Sequence, residues 1–239
     1  RLTDEARRVP DTDWHLERLY DFADELGASV LVATHSRYVI DLNRPPDGAS
    51  LYPGQSVTGL CPVDLFDHQP LYRDPADEPG EAEIAQRRDA IWQPYHAQLL
   101  QELARLREVH GVAALWDAHS IRSVVPRFFD GQLPDLNLGT ANGSSCDPRL
   151  EAQLLAMGQQ AKPFTTVLNG RFKGGYITRQ YGNPSQGIHA VQMELTQRSY
   201  MQESWPFEYL PDVASAVQDH LRRMLEAMLA FVESQALVK

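Results

Sequence analysis

Apolar residues recur along this chain with two different periods, and the switches between them mark the elements. Over residues 14–26, Leu16, Leu19, Tyr20, Phe22, Ala23 and Leu26 fall at helical spacing, and Gly27 ends the run. The short apolar run Ser29-Val30-Leu31-Val32-Ala33 predicts a buried strand. A second strand is predicted over 37–42, stopped by the turn chemistry of Asn43-Arg44-Pro45-Pro46-Asp47-Gly48. Residues 49–79 then lose all periodicity in proline, glycine and aspartate, which predicts a long surface excursion.

The longest helical stretch is 82–110, with Ile84, Ile91, Tyr95, Leu99, Leu103 and Leu106 on one stripe and Pro94 placed to kink it. A buried strand over 112–117 runs into Ala118-His119-Ser120. The glycine- and asparagine-rich 134–146 stretch predicts an edge strand plus a loop. A helix over 148–160, strands over 165–169 and 189–195, and an amphipathic helix over 214–236 complete the pattern. Helices alternating with short apolar strands predict an α/β fold with a mixed or mostly parallel sheet. In such sheets ligands gather at the carboxyl ends of strands. Unusual polar residues stand at these predicted ends: Asp41, Asn43 and Arg44; Asp117 and His119; Asn169 and Arg171; Glu194.

Composition narrows the class of partner. At 239 residues and 43% hydrophobic, the chain is expected to form a single domain, residues 1–239. With 22 basic and 32 acidic residues the net charge is -10, which argues against nucleic acid and anionic membrane. A small anionic substrate is still allowed, because a few local arginines suffice to bind it. No apolar run approaches the ~20 residues of a membrane span, and no signal peptide is visible. Cys61 and Cys146 lack the spacing of a zinc or redox pair, so a reducing cytoplasm is the simplest setting. The chain opens Arg1-Leu2-Thr3-Asp4-Glu5, without methionine or a first strand, as if it began inside a domain.

Four groups could carry chemistry. His119, leaving a strand, suits a metal ligand or general base, or else a hydrogen-bonded loop histidine. Glu194 lies in a segment that wants burial, where a carboxylate facing a metal-bound water would have a raised pKa. Alternatively Gln192, Glu194 and Thr196 alternate onto a wet strand face. Arg37, Arg44, Arg171, Lys173 and Arg179 could grip carboxylates, with glycines in Asn169-Gly170-Arg171-Phe172-Lys173-Gly174-Gly175-Tyr176 opening the backbone; the bland reading is a solvated glycine hairpin. In Pro10-Asp11-Thr12-Asp13-Trp14-His15 an aspartate could start a helix or bind metal. Nucleotide-loop, HExxH and GxSxG patterns are absent.

Together, Ser36-Arg37-Tyr38-Val39-Ile40-Asp41-Leu42-Asn43-Arg44, Trp116-Asp117-Ala118-His119-Ser120-Ile121-Arg122-Ser123, the 169–179 segment and His189-Ala190-Val191-Gln192-Met193-Glu194-Leu195 resemble the N-formylglutamate amidohydrolases. The resemblance implies a three-layer α/β/α fold with a mixed, mostly parallel sheet, related to zinc carboxypeptidases and aspartoacylases. It implies a metal-dependent hydrolysis of N-formyl-L-glutamate to formate and L-glutamate, in histidine degradation. It implies Zn2+, or another divalent transition metal, on His119 and Asp13, with Asp11 the weaker candidate. Glu194 is implied as general base, and Arg37, Asn43, Arg44 and Arg171 as substrate ligands. The family's first histidine ligand would precede Arg1, and His15 and His35 are poor substitutes. A monomer or small homo-oligomer is expected. The competing readings are a related amidohydrolase for another N-acyl amino acid or small peptide, and a non-catalytic ligand-binding homologue.

Overall fold

The computed structural model describes residues 1–236. Four strands form one sheet: β1 (Ala113–Ile121), β2 (Leu136–Gly139), β3 (Thr166–Leu168) and β4 (Ile188–Thr196). Their order is β1-β4-β2-β3. β1 runs parallel to β4 and β2 parallel to β3, while β2 and β4 are antiparallel. The sheet is therefore mixed and mostly parallel. The 134–146 stretch departs from expectation, because β2 is an interior strand and not an edge. All four of its residues are buried, and Asn137 donates from Nδ2 to the Glu194 carbonyl at 3.0 Å, tying it to β4.

Helices cover both faces. α4 (Pro148–Gln160) and α6 (Pro211–Ala236) pack on one side, where Leu150, Leu154, Val217, Leu221 and Met224 meet Val191 and Met193 of β4. Asp147 caps α4 by accepting from the Arg149 backbone N–H, and Pro148 sits at its first turn. On the other side lies the long helix, α2 (Glu81–Arg87) joined to α3 (Gln93–His110) by one π turn, Arg88–Trp92. Pro94 explains that turn. It has no N–H to donate, and its ring crowds the carbonyl four residues back, so the helix widens instead of continuing regularly. Leu99 and Leu103 of α3 pack with Ala113 of β1 and Ile177 of α5 (Tyr176–Tyr181).

Two predicted strands do not form. Residues 29–34 form no regular element and pair with no strand among the described residues, and Val30 and Leu31 are exposed. Residues 37–42 are a run of turns. There local side chains satisfy the backbone: the Tyr38 N–H donates to Ser36 Oγ and the Asn43 N–H to Asp41 Oδ1. The predicted first helix is also broken, into α1 (Leu16–Leu19) and a 3-10 helix, Asp21–Leu26, that Gly27 ends in the left-handed region. Within the 49–79 excursion, Leu60, Leu65, Phe66, Leu71 and Tyr72 are buried, so its turns are anchored by apolar side chains.

Candidate active site

Strand pairing builds the centre of the site. His119 lies within β1, not beyond its end, and is aligned with Glu194 of the parallel β4; Asp117 is aligned with Gln192. Residues two apart on a strand share a face. Asp117, His119, Gln192 and Glu194 thus form a polar patch on one face at the carboxyl end of both strands. The alternation of Gln192, Glu194 and Thr196 does not mark a wet face, because all three are buried.

Asp13 reaches this patch from the segment before α1. It does not cap a helix, since the N-cap of α1 is His15. Its Oδ1 accepts from the Ser120 backbone N–H at 3.2 Å. Its Oδ2 lies 3.2 Å from His119 Nδ1 and accepts from Arg37 Nη2 at 3.0 Å. The segment is pinned from both flanks: Gln197 donates to the Thr12 carbonyl, and the Tyr200 hydroxyl to the Trp14 carbonyl. Asp11 has a different task. Its carboxylate accepts from the Tyr38 hydroxyl and the Phe66 N–H, tying the N-terminal segment to two turns away from His119. His15 turns away too, with its Nε2 2.7 Å from the Phe207 carbonyl, and His35 is exposed.

The other face of the His119 ring is set by Asp117, a residue without an assigned role in the sequence. Its Oδ1 lies 2.8 Å from His119 Nε2, and its Oδ2 accepts from the buried Thr178 hydroxyl at 2.9 Å. Carboxylate oxygens face both ring nitrogens and favour a proton on each; a cation bound beside Asp13 would displace the one on Nδ1 and leave the one on Nε2 to Asp117. Asn43 Nδ2 stands 2.9 Å from the same Nε2, while its Oδ1 accepts from the Ile177 N–H at 2.8 Å. Gly175 lets Asn43 come this close, because a Cβ there would collide with the Asn43 amide.

The charges are mutually dependent. Burial raises the Glu194 pKa, with Asp13 and Asp117 adding to it against His119 and Arg37, and brings it to about 7. Burial by itself would lower His119, but Asp117 and Asp13 outweigh it and hold the imidazole well above its ordinary pKa. Burial would raise Asp13, yet Arg37 and His119 keep it below the usual carboxylate range. Asp41 is likewise held low against its burial, with Arg44 3.8 Å and Arg37 3.9 Å away.

The cleft above this patch is lined by Arg37, Asn43, Arg44, His119, Arg171 and Glu194, so these candidates from the sequence come together, while Asp13 lies behind His119 and Lys173 and Arg179 are not part of the lining. Their engagement differs. Arg37 is committed to Asp13 and Asp41. Arg44 donates to the carbonyl and hydroxyl of Thr58. Arg171 donates to the Phe128 and Ser56 carbonyls. Asp117 stood out in the sequence only as a polar residue at a strand end and Gln192 only as part of an alternation, both without a role; Thr178 and Tyr52 gave no signal. As donors, a carboxylate oxygen of Asp13 and a ring nitrogen of His119 suit a zinc-type cation. Among the described residues no group of three His, Cys, Asp or Glu side chains completes such a set.

A family model described as N-formylglutamate amidohydrolase matches residues 1–201. The chain is 54% identical to an N-formylglutamate deformylase of Pseudomonas putida over 230 residues, covering 96% of this chain and 85% of that protein. It is 55% identical to the N-formylglutamate deformylase of Pseudomonas aeruginosa, covering 96% and 86%. Among solved structures, an N-formylglutamate amidohydrolase from Ralstonia eutropha superposes with a TM-score of 0.81 at 23% identity, covering 98% of this chain and 87% of that one. A gene product of Agrobacterium tumefaciens gives 0.56 at 20% identity, covering 82% and 69%; at such identities these two speak for the fold. A family model over most of the chain and relatives above half identity place this chain in the N-formylglutamate amidohydrolase family.

Proposed function

We propose that this chain hydrolyses the formyl amide of N-formyl-L-glutamate, releasing formate and L-glutamate, in a metal-dependent reaction. The observation that carries the chemistry is the register of β1 and β4, which holds Glu194 beside His119 under an arginine-lined cleft. Asp13 and His119 would hold the cation. Bound there, it would polarise the formyl oxygen and acidify water. A catalytic zinc takes three protein donors, and this pair supplies two of them.

The chain's own groups account for the remaining steps. Glu194, with a pKa near 7, accepts the proton of the attacking water and returns it to the departing amine. Asp117 fixes the ring and tautomer of His119. Arg44 and Arg171 orient the two substrate carboxylates, because Arg37 is tied to Asp13 at 3.0 Å, whereas the nearest carboxylate to Arg44 is Asp41 at 3.8 Å. Arg37 in turn keeps Asp13 ionised. The same reading sets the enzyme in the reducing cytoplasm, supported by the unpaired Cys61 and Cys146. Among the described residues, no helix is long and apolar enough to cross a membrane.

The test is glutamate release by zinc- or cobalt-supplemented protein offered N-formylglutamate, N-acetylglutamate and a peptide ending in glutamate. Turnover of the formyl compound at least about a hundredfold faster than the others is expected. Preference for acetyl or peptidyl substrates would move the assignment to another amide within the same fold.

A further inference from the structure

Tyr52 belongs to the 49–79 excursion, remote in sequence from the strand ends, yet it lines the same cleft. Its hydroxyl donates to the Gly174 carbonyl at 2.9 Å and accepts from the Lys173 N–H at 3.2 Å. Its ring lies beside two guanidiniums, with Arg171 Cζ 5.3 Å and Arg179 Cζ 4.9 Å from the centroid. Two more rings, Phe128 and Phe172, flank Arg171 at 5.6 and 5.4 Å. The fork of Arg171 ends on backbone carbonyls only, those of Phe128 at 2.5 Å and Ser56 at 3.0 Å. Among the described residues it has no carboxylate partner. A cation held by aromatic faces and carbonyl dipoles keeps its charge available for an incoming anion. Ser56 belongs to the same stretch as Tyr52, so once a substrate carboxylate takes the place of its carbonyl on Arg171, the Tyr52 hydroxyl is the remaining hydrogen-bonded tie, among the described residues, between this stretch and residues 171–175.

We propose that Tyr52 is a positioning residue for substrate charge: it holds Arg171 and the 173–174 backbone so that the guanidinium meets the side-chain carboxylate of the formyl amino acid. This rests on the reading of Arg171 as a substrate anchor. The ring supplies a face that restricts the tilt of the guanidinium, and the hydroxyl fixes the turn from which Arg171 projects. Substrates with a neutral side chain gain nothing from that arrangement.

The experiment compares N-formylglutamate with N-formylglutamine, which is nearly isosteric but uncharged at the side chain. For Tyr52→Ala, the KM for N-formylglutamate is expected to rise about tenfold with kcat within about threefold, and the KM for N-formylglutamine to stay within about twofold. Tyr52→Phe keeps the face and loses only the hydroxyl's bonds to Gly174 and Lys173, so its KM for N-formylglutamate is expected to rise about threefold, between native and the alanine variant. Should the alanine variant not fold, Tyr52→Leu replaces it with the same expected loss. Arg171→Gln is measured alongside and is expected to abolish the selectivity. An equal loss on both substrates, or no loss, in a folded Tyr52→Ala variant overturns the role of Tyr52 alone when Arg171→Gln behaves as expected. Unchanged selectivity in Arg171→Gln, or none in the native protein, overturns the anchor and the Tyr52 proposal together.

Discussion

Glu194 takes its proton affinity from where it is held. A glutamate in water would be ionised at neutral pH, but this one is buried on a strand, with Asp13 and Asp117 nearby, and stands at about 7. That value suits a group that must gain and lose a proton in one cycle. Glu194→Gln preserves shape and the contact with Gln192 while removing the basic oxygen. It is expected to lower kcat by about 10²–10⁴-fold, with N-formylglutamate affinity, read by calorimetry, within about threefold of native. Full activity in this variant would remove the residue from the mechanism. Asp117 acts one step further out. Asp117→Asn places a donor or a weaker acceptor against His119 Nε2, so the proton is no longer fixed there. Zinc affinity by chelator competition and kcat/KM are each expected to fall by about 10–100-fold. If both are unchanged, the ring is set by Asn43 and strand geometry alone.

Elements differed in how openly their sequences declared them. α4 and α6 were readable because one apolar stripe runs their length and meets one layer of the sheet. β4 was readable as a strand, but the direction of its polar face was not. Gln192 and Glu194 are polar because they face a site, and only the pairing with β1 reveals that. The apolar run at 29–33 read as buried because local composition does not report whether a partner strand is present. The turns at 37–44 concealed themselves similarly: Tyr38 and Ile40 are buried in alternation, as in a strand, while Ser36 and Asp41 bond to the local backbone instead. Within the sheet, Asp135 binds three elements. It accepts from the Thr165 N–H and hydroxyl just before β3, from the Thr196 hydroxyl at the end of β4, and from Arg198. Burial opposes its charge, but these bonds hold its pKa below the ordinary value. A depressed carboxylate stabilises the fold above its unfolded pKa and loses that contribution as pH falls through the folded one. Asp135→Ala is expected to cost about 2 kcal/mol, or a melting temperature lower by roughly 4–8 °C at pH 7. The difference from native should shrink below pH ~4. A constant difference down to acid pH would mean that packing, not the charge, is what Asp135 contributes.

At the scale of the whole molecule, the site and the stability of the fold are held by different parts. The largest apolar cluster joins α4 and α6 to the sheet through Leu136, Leu138, Val191, Met193 and Leu195, away from the cleft. The polar side is cross-linked by its own charges: Arg37 bridges Asp13 and Asp41, and Asp117 bridges His119 and Thr178. These pairs satisfy the groups that would otherwise be buried charges, so the fold does not need a cation to neutralise them. This separates the outcome of metal removal here from that in small zinc-folded domains, where apo chains unfold. Chelated protein is expected to melt cooperatively at a lower temperature, since any ligand of the native state stabilises it by mass action. It is also expected to bind N-formylglutamate within about threefold of the metal-loaded affinity, because Arg44 and Arg171 are anchored by Thr58, Ser56 and Phe128 and not by metal ligands. Formate release should be lost and return on adding zinc or cobalt. Formate release that survives exhaustive chelation would end the metal-dependent reading, while a chelated chain that unfolds would show that the Arg37 and Asp117 bridges do not hold the polar side on their own.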